Sequence, residues 1–186
     1  GYDKQFIGNG IRSMIQSNEG AASTFLRLRT QVGSFQIDNL FQELVSDFPG
    51  LGNDDRLPRK YSSFHQVSKN FGSKLSIALF EQTIFGATRK YKISNLFPAL
   101  FTHKLFGMNN DDVKTSFGLQ FKYLPLKSVQ VYGQTMVDYF SSNGHSNSRL
   151  PNLIYAAQFG IKYFNVFTIN NLDLQVELNK ASEGMY

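Results

Sequence analysis

Gly8-Asn9-Gly10 lies between Phe6-Ile7 and Ile11, with the cations Lys4 and Arg12 on either side. A Gly-x-Gly beside basic residues could cradle a phosphate, because glycine lets backbone N–H groups approach an anion. Phosphate loops, however, follow a strand, open a helix and carry a further glycine. Ile11 to Gln16 has no long amphipathic pattern, and that glycine is missing. The stretch reads instead as a tight turn or a close backbone approach, since Asn-Gly suits positive φ.

Other chemistry-bearing residues are also thinly spread. His65, His103 and His145 form neither HExxH nor HxH, so no metal is expected. Asn53-Asp54-Asp55 and Asn109 to Asp112 offer hard oxygens that suit calcium, but without EF-hand spacing they read as solvated loop charge. Glu43 and Glu81 are a carboxylate pair by type only: glycosidase chemistry needs them about 5–10 Å apart, a distance that spacing in the chain does not supply. No GxSxG elbow is present. The expectation is a non-enzymatic protein with no cofactor. Tyr132, Gln134 and Asn143 are of types that suit sugars, rings stacking on apolar sugar faces while amides bond hydroxyls.

The elements that must position these residues follow a period of two. Leu172, Leu174, Val176 and Leu178 alternate with Asp173, Gln175, Glu177 and Asn179. Phe117, Leu119, Phe121 and Tyr123 alternate with Ser116, Gly118, Gln120 and Lys122, and Leu26, Leu28, Thr30 and Val32 oppose Arg27, Arg29 and Gln31. The same pattern runs through 129–139 and 153–163. Each such strand has one apolar and one polar face. The alternation breaks at 75–85: if Leu75, Ile77 and Leu79 face lipid, so does Glu81, unless a β-bulge turns it inward or the span ends first.

Composition agrees. The 186 residues include 18 Phe and 9 Tyr but no Cys, which excludes a disulfide framework and a thiolate metal site. The net charge of +5 is spread singly, apart from Arg27/Arg29 and Arg59-Lys60, so no nucleic-acid stripe is expected. Gly1 to Gln5 does not open a signal peptide, and no run approaches the roughly 18 apolar residues of a membrane helix.

Short links at Gly33-Ser34, Phe71 to Ser73, Pro125 to Lys127 and Phe164 to Asn170 alternate with longer polar ones at 17–23, 47–60, 107–114 and 141–152. Outer-membrane barrels are built this way, with short turns at one end and long loops at the other. A β-sandwich also alternates, but its strands average about 5–6 residues, whereas several here reach the roughly 9–11 that cross a bilayer. Tyr123, Tyr139-Phe140 and Tyr163-Phe164 sit at strand ends, as aromatic girdles do. The expected fold is therefore all-β: an antiparallel up-and-down transmembrane β-barrel. Its apolar face would meet lipid, and Arg27, Arg29, Asp38, Lys122, Asp138, Lys162, Asp173 and Glu177 would point into the lumen and pair across strands.

Several stretches, "YDKQFIGNGIRSMIQS", "FLRLRTQVGSFQIDNLFQELV" and "YSSFHQVSKNFGSKLSIALFEQTIFG", together resemble the capsule-assembly (Wzi-like) outer-membrane barrel family, in particular its Bacteroidota branch with gliding-motility barrels. "GLQFKYLPLKSVQVYGQTMVDYF" and "AAQFGIKYFNVFTINNLDLQVELNKA" are similar to its following section. The shared features, in order, are the Gly1 to Ser13 opening, a histidine-containing strand at His65-Gln66, and Tyr132 to Phe140. The likeness is weakest at 87–114, where the family's Leu-Asn-Pro segment is replaced by "ISNLFPALFTHKLFG", keeping Asn95 and Pro98 at a different spacing. Family members are considerably longer. The resemblance implies that 1–186 is one barrel region, a portion of a larger barrel incomplete at both ends, with an irregular section at 87–114; about ten or eleven strands are readable from the alternation itself.

It further implies a protein of the bacterial outer membrane, in contact with its lipid, that binds or organises capsular or exopolysaccharide, with links to gliding motility or adhesion. The alternative is an accessory barrel subunit of a larger outer-membrane secretion or motility complex, contacting partner subunits. The expected binding or lumen-lining polar residues are Asp3, Lys4, Arg12, Arg27, Arg29, Glu43, His65, Gln66, Glu81, Gln134 and Asp138. An interior salt-bridge lattice that plugs and rigidifies the barrel is the more economical account of each of them, since interior charges need partners whatever the function.

Overall fold

A computed structural model describes residues 1–45, 59–86, 113–139 and 154–182. It is all-β, a single sheet of nine strands whose order in space is their order in sequence. After the two-residue β1 (Tyr2–Asp3) come β2 (Ser23–Val32), β3 (Phe35–Val45), β4 (Arg59–Phe71) and β5 (Leu75–Gly86). The second half comprises β6 (Val113–Leu126), β7 (Val129–Tyr139), β8 (Ile154–Tyr163) and β9 (Leu174–Ala181). Every neighbouring pair is antiparallel. β1 and β9 do not meet, so the described sheet is an open meander. Among the described residues no helix is long and apolar enough to cross a membrane.

The two-faced strands and short turns of the sequence are present. β2 to β8 run 10 to 14 residues each, and among the described residues all nine strands belong to one sheet. Two hairpins reverse at Gly33 (φ 60) and Gly72 (φ 63), conformations that glycine adopts without Cβ strain. β6 and β7 join through 127–128, with a register shift between Tyr123 and Leu126. The β8–β9 link winds through a short 3-10 turn, Val166–Thr168, and the Asp173 carboxylate accepts the Asn165 N–H at 3.0 Å. Asp173 therefore closes a turn and does not line a lumen as its alternation suggested. Of the expected long links 47–60, 107–114 and 141–152, residues 47–58, 107–112 and 141–152 lie outside the described residues, as do the section 87–106, His103, His145, Asn143 and both acidic clusters, whereas 59–60 and 113–114 belong to β4 and β6.

Register assigns each side chain to a face. The inner face, against which residues 5–17 pack, carries one in-register row that crosses the sheet from Gln31 through Gln36, Ser68, Ala78, Gln120, Gln134 and Gln158 to Asn179. It is dominated by carboxamides. Beyond it, away from the short turns, Leu40, Phe64, Phe80, Met136 and Ala156 form an apolar cluster. On the outer face Leu26, Leu28, Leu79, Leu119, Val137, Phe159, Ile161, Val176 and Leu178 are exposed, Leu178 to 70%. Around the short turns this face also carries Phe35 and Phe71, with the Lys69 ammonium 4.9 Å and 5.3 Å from their ring centres.

Glycines inside strands are matched to aromatic partners. Phe80, Phe121 and Tyr132 stand directly across from Gly118, Gly133 and Gly160, and their rings occupy the space that a Cβ at each glycine would need. A ring laid over a cross-strand glycine restores packing that the missing side chain gives up.

Glu81 requires a correction. β5 pairs without interruption on both sides, so there is no bulge and the strand does not end before it. Glu81 shares the outer face with Leu75, Ile77 and Leu79, yet it is fully buried (0% exposed).

Candidate functional site

The opening residues form a strap on the inner face. Ile7 and Gln16 pair as an isolated antiparallel bridge, the Ile7 N–H donating to the Gln16 carbonyl at 3.0 Å. Ser13 pins the loop between them: its hydroxyl donates to the Ile7 carbonyl and accepts the N–H groups of Ile15 and Gln16 at 3.0 and 3.2 Å. Irregular backbone needs partners for its polar groups, and side chains of the carboxamide row provide them. The Gln134 carbonyl accepts the Met14 N–H at 3.1 Å, while its amide donates to the Ile7 carbonyl at 3.3 Å and to Gln120 Oε1 at 2.9 Å. Gln158 donates to the Arg12 carbonyl at 2.7 Å. Glu177 accepts the Ile11 N–H at 2.9 Å and the Tyr132 hydroxyl at 2.7 Å. Ile7 and Ile15 descend into the apolar cluster.

This explains Gly8-Asn9-Gly10. None of the three has positive φ, so the Asn-Gly turn is not the reason for them. A Cβ at Gly8 would stand 2.9 Å from Gln134 Nε2, and one at Gly10 would stand 2.7 Å from the Arg12 carbonyl oxygen and collide with the Glu177 carboxylate. Close approach between the strap and β7–β9 is what the glycines permit.

Beside the strap, on β2–β6 and towards the short turns, lies a polar cleft of about 430 Å³ bordered by Phe6 to Asn9. Its charges centre on Asp38. The Arg27 guanidinium grips that carboxylate with two nitrogens, at 2.9 Å and 2.6 Å, and also bonds Gln5 Oε1 at 3.2 Å. Arg29 reaches the same carboxylate through Nε at 3.1 Å. Lys122 lines the cleft and forms no ion pair among the described residues. Gln66 lines it too.

The expected site residues thus fall into three groups. Arg27, Arg29, Gln66, Gln134 and Asp138 are on the inner face, Asp138 accepting from Lys114 at 2.8 Å and from the Ser116 hydroxyl. Pairing across strands, expected of these charges, is realised at Arg27–Asp38, Arg29–Asp38 and Lys114–Asp138. Asp3, Lys4 and Arg12 are exposed and form no ion pair among the described residues, so they do not supply paired interior charge. The strap is held through its backbone by Ser13, Gln134, Gln158 and Glu177, not by its own ions.

Glu43, His65 and Glu81 stand on the outer face instead. His65 (1% exposed) meets Asn39 Oδ1 at 2.8 Å and packs edge-on against Phe41, and Glu81 is its in-register neighbour. Gln158, Glu177 and Ser13 also anchor the strap, and none of them is among the expected site residues. For Gln158 and Glu177 the signal was their place on the polar side of the alternation. Among the described residues no three His, Asp or Glu side chains converge as a metal site would require.

Fold and site define an all-β, up-and-down antiparallel sheet with a strap docked on its polar face. No family model matches the chain, and neither does any curated protein or solved structure.

Proposed function

We propose that this chain is a section of an outer-membrane β-barrel that binds or organises surface polysaccharide, capsular or secreted, without covalent chemistry, in a setting linked to gliding motility or adhesion. The observation that carries the reading is the two-faced sheet. Its outer face leaves Leu26, Leu28, Leu119, Phe159, Val176 and Leu178 bare, 38% to 70% exposed. Fully burying a side chain of this size is worth about 1.5–3 kcal/mol, so water is a poor solvent for the face as a whole. Acyl chains solvate it well, and Phe35, Phe71 and Lys69 at one border suit the headgroup level. The polysaccharide part rests on the likeness to Wzi-like barrels and on an inner face rich in carboxamides, whose planar donor–acceptor pairs match sugar hydroxyls. A pull-down of the cell's own surface polysaccharide on the purified full protein should retain polymer. Failure to retain any surface polymer overturns the reading.

A second reading, an accessory subunit of a larger outer-membrane assembly, draws on the sheet edges. Among the described residues β9 pairs with β8 alone and β2 pairs along two residues with β1, which leaves backbone donors and acceptors for further strands. Mild-detergent purification should then yield a complex. A monomeric barrel with no co-purifying subunit argues against it.

A further inference from the structure

We infer that the cleft between the strap and β2–β6 is a subsite for an acidic sugar unit, its carboxylate held by Arg29 and Lys122. This deepens the polysaccharide reading and rests on it. Three cations and one anion line the cleft, Arg27, Arg29 and Lys122 against Asp38, a formal balance of +2. That imbalance has a structural cause. Arg27 takes Asp38 through paired contacts, and Arg29 shares the same carboxylate through Nε alone, so its two terminal nitrogens have no partner among the described residues. Lys122, on β6, has no hydrogen bond or ion pair among the described residues. A planar guanidinium fork and an ammonium, both unsaturated and facing one polar space, match a carboxylate.

The remaining lining selects for hydroxyls. Gln36, Gln66, Asn70 and Ser76 have side chains with no hydrogen bond among the described residues, and Phe6 borders the cleft with them. A small inorganic anion would use the two cations and leave these amides idle, whereas a pyranose carrying a carboxylate engages both. The volume, about 430 Å³, falls within the range of small-molecule sites. The cleft lies among the short turns, between Gln36, which follows the Gly33 reversal, and Asn70, which precedes the Gly72 reversal. In outer-membrane barrels that end is periplasmic.

The test is calorimetric titration of the full protein in detergent with tetragalacturonate, its methyl ester, a neutral glucan tetramer and sodium acetate. Tetragalacturonate should bind at least ten times more tightly than the ester or the glucan, and more tightly than acetate. Raising salt from 50 to 500 mM should weaken only the charged ligand. The double variant Arg29→Gln/Lys122→Gln should lose at least tenfold for tetragalacturonate, and Ser68→Trp, which fills the cleft without removing a charge, should abolish binding. Unchanged heat-modifiable mobility on gels establishes that the variants are folded. Equal binding of the ester, undiminished binding by both variants, acetate binding as tightly as the oligomer, or no binding of tetragalacturonate each overturns the subsite. If the wild type retains its native polymer and both variants do so equally, the cleft is not the site and the broader reading stands. If the wild type retains none, the broader reading fails with it.

Discussion

At Gln134 one carboxamide, 1% exposed, serves the strap and β6 at once: it accepts the Met14 N–H and donates to the Ile7 carbonyl and to Gln120. Gln134→Leu keeps the volume but orphans the Met14 N–H and the Gln120 side-chain carbonyl, while the Ile7 carbonyl keeps Ser13, so we predict a loss of about 1–3 kcal/mol in denaturant unfolding from micelles. Gln36→Leu in the same row removes no hydrogen bond and should change stability by no more than about 0.5 kcal/mol. Asp38 behaves differently, because a single carboxylate there balances two guanidiniums. Asp38→Asn should cost about 1–3 kcal/mol, less than the roughly 3–5 of a fully buried pair, since Arg27 keeps a side-chain exposure of 20%. The same unfolding measurement checks it, and a loss under about 0.5 kcal/mol would place Asp38 outside the structural charge network.

Strands and turns were the most legible elements in the sequence, because alternation and turn chemistry are both local. Gly33 and Gly72 mark the predicted reversals, and their positive φ makes Gly33→Ala or Gly72→Ala cost about 1–2 kcal/mol, measurable as a lower unfolding midpoint with unchanged strand content. Less was legible where both faces of a strand carry apolar groups. Along 75–85 the inner face carries Ala78 and Phe80 under the strap while the outer face carries Ile77 and Leu79, so the period of two disappears although the strand is continuous. Burial of Glu81 and His65 on that outer face left no periodic trace either. The strap was misjudged in its charges for a related reason. Its partners, Gln134, Gln158 and Glu177, come from strands more than a hundred residues away, and no local pattern shows that the backbone of residues 7–14, rather than Asp3, Lys4 or Arg12, makes the contacts.

The described sheet has a strapped polar face and an outer face with bare apolar side chains on β2 and β6 to β9, and the account depends on which of them meets lipid. Leu119 is exposed on the outer face, and its neighbour Gln120 belongs to the carboxamide row. In a bilayer Leu119→Arg should cost about 2–4 kcal/mol near mid-depth, whereas Gln120→Arg, directed inward, should cost clearly less. Folding titrations into phospholipid vesicles measure both, and equal costs would argue against a lipid-facing outer side. The most direct test uses the absence of cysteine in this chain. Single cysteines at Ser116, Phe117, Leu119, Gln120, Phe121 and Lys122, each carrying a small fluorophore, would be read in vesicles whose acyl chains are brominated. Strong quenching at 117, 119 and 121 with little at 116, 120 and 122 is the predicted result. Quenching without alternation, or none at any position, would contradict a β-barrel that turns this face to the membrane.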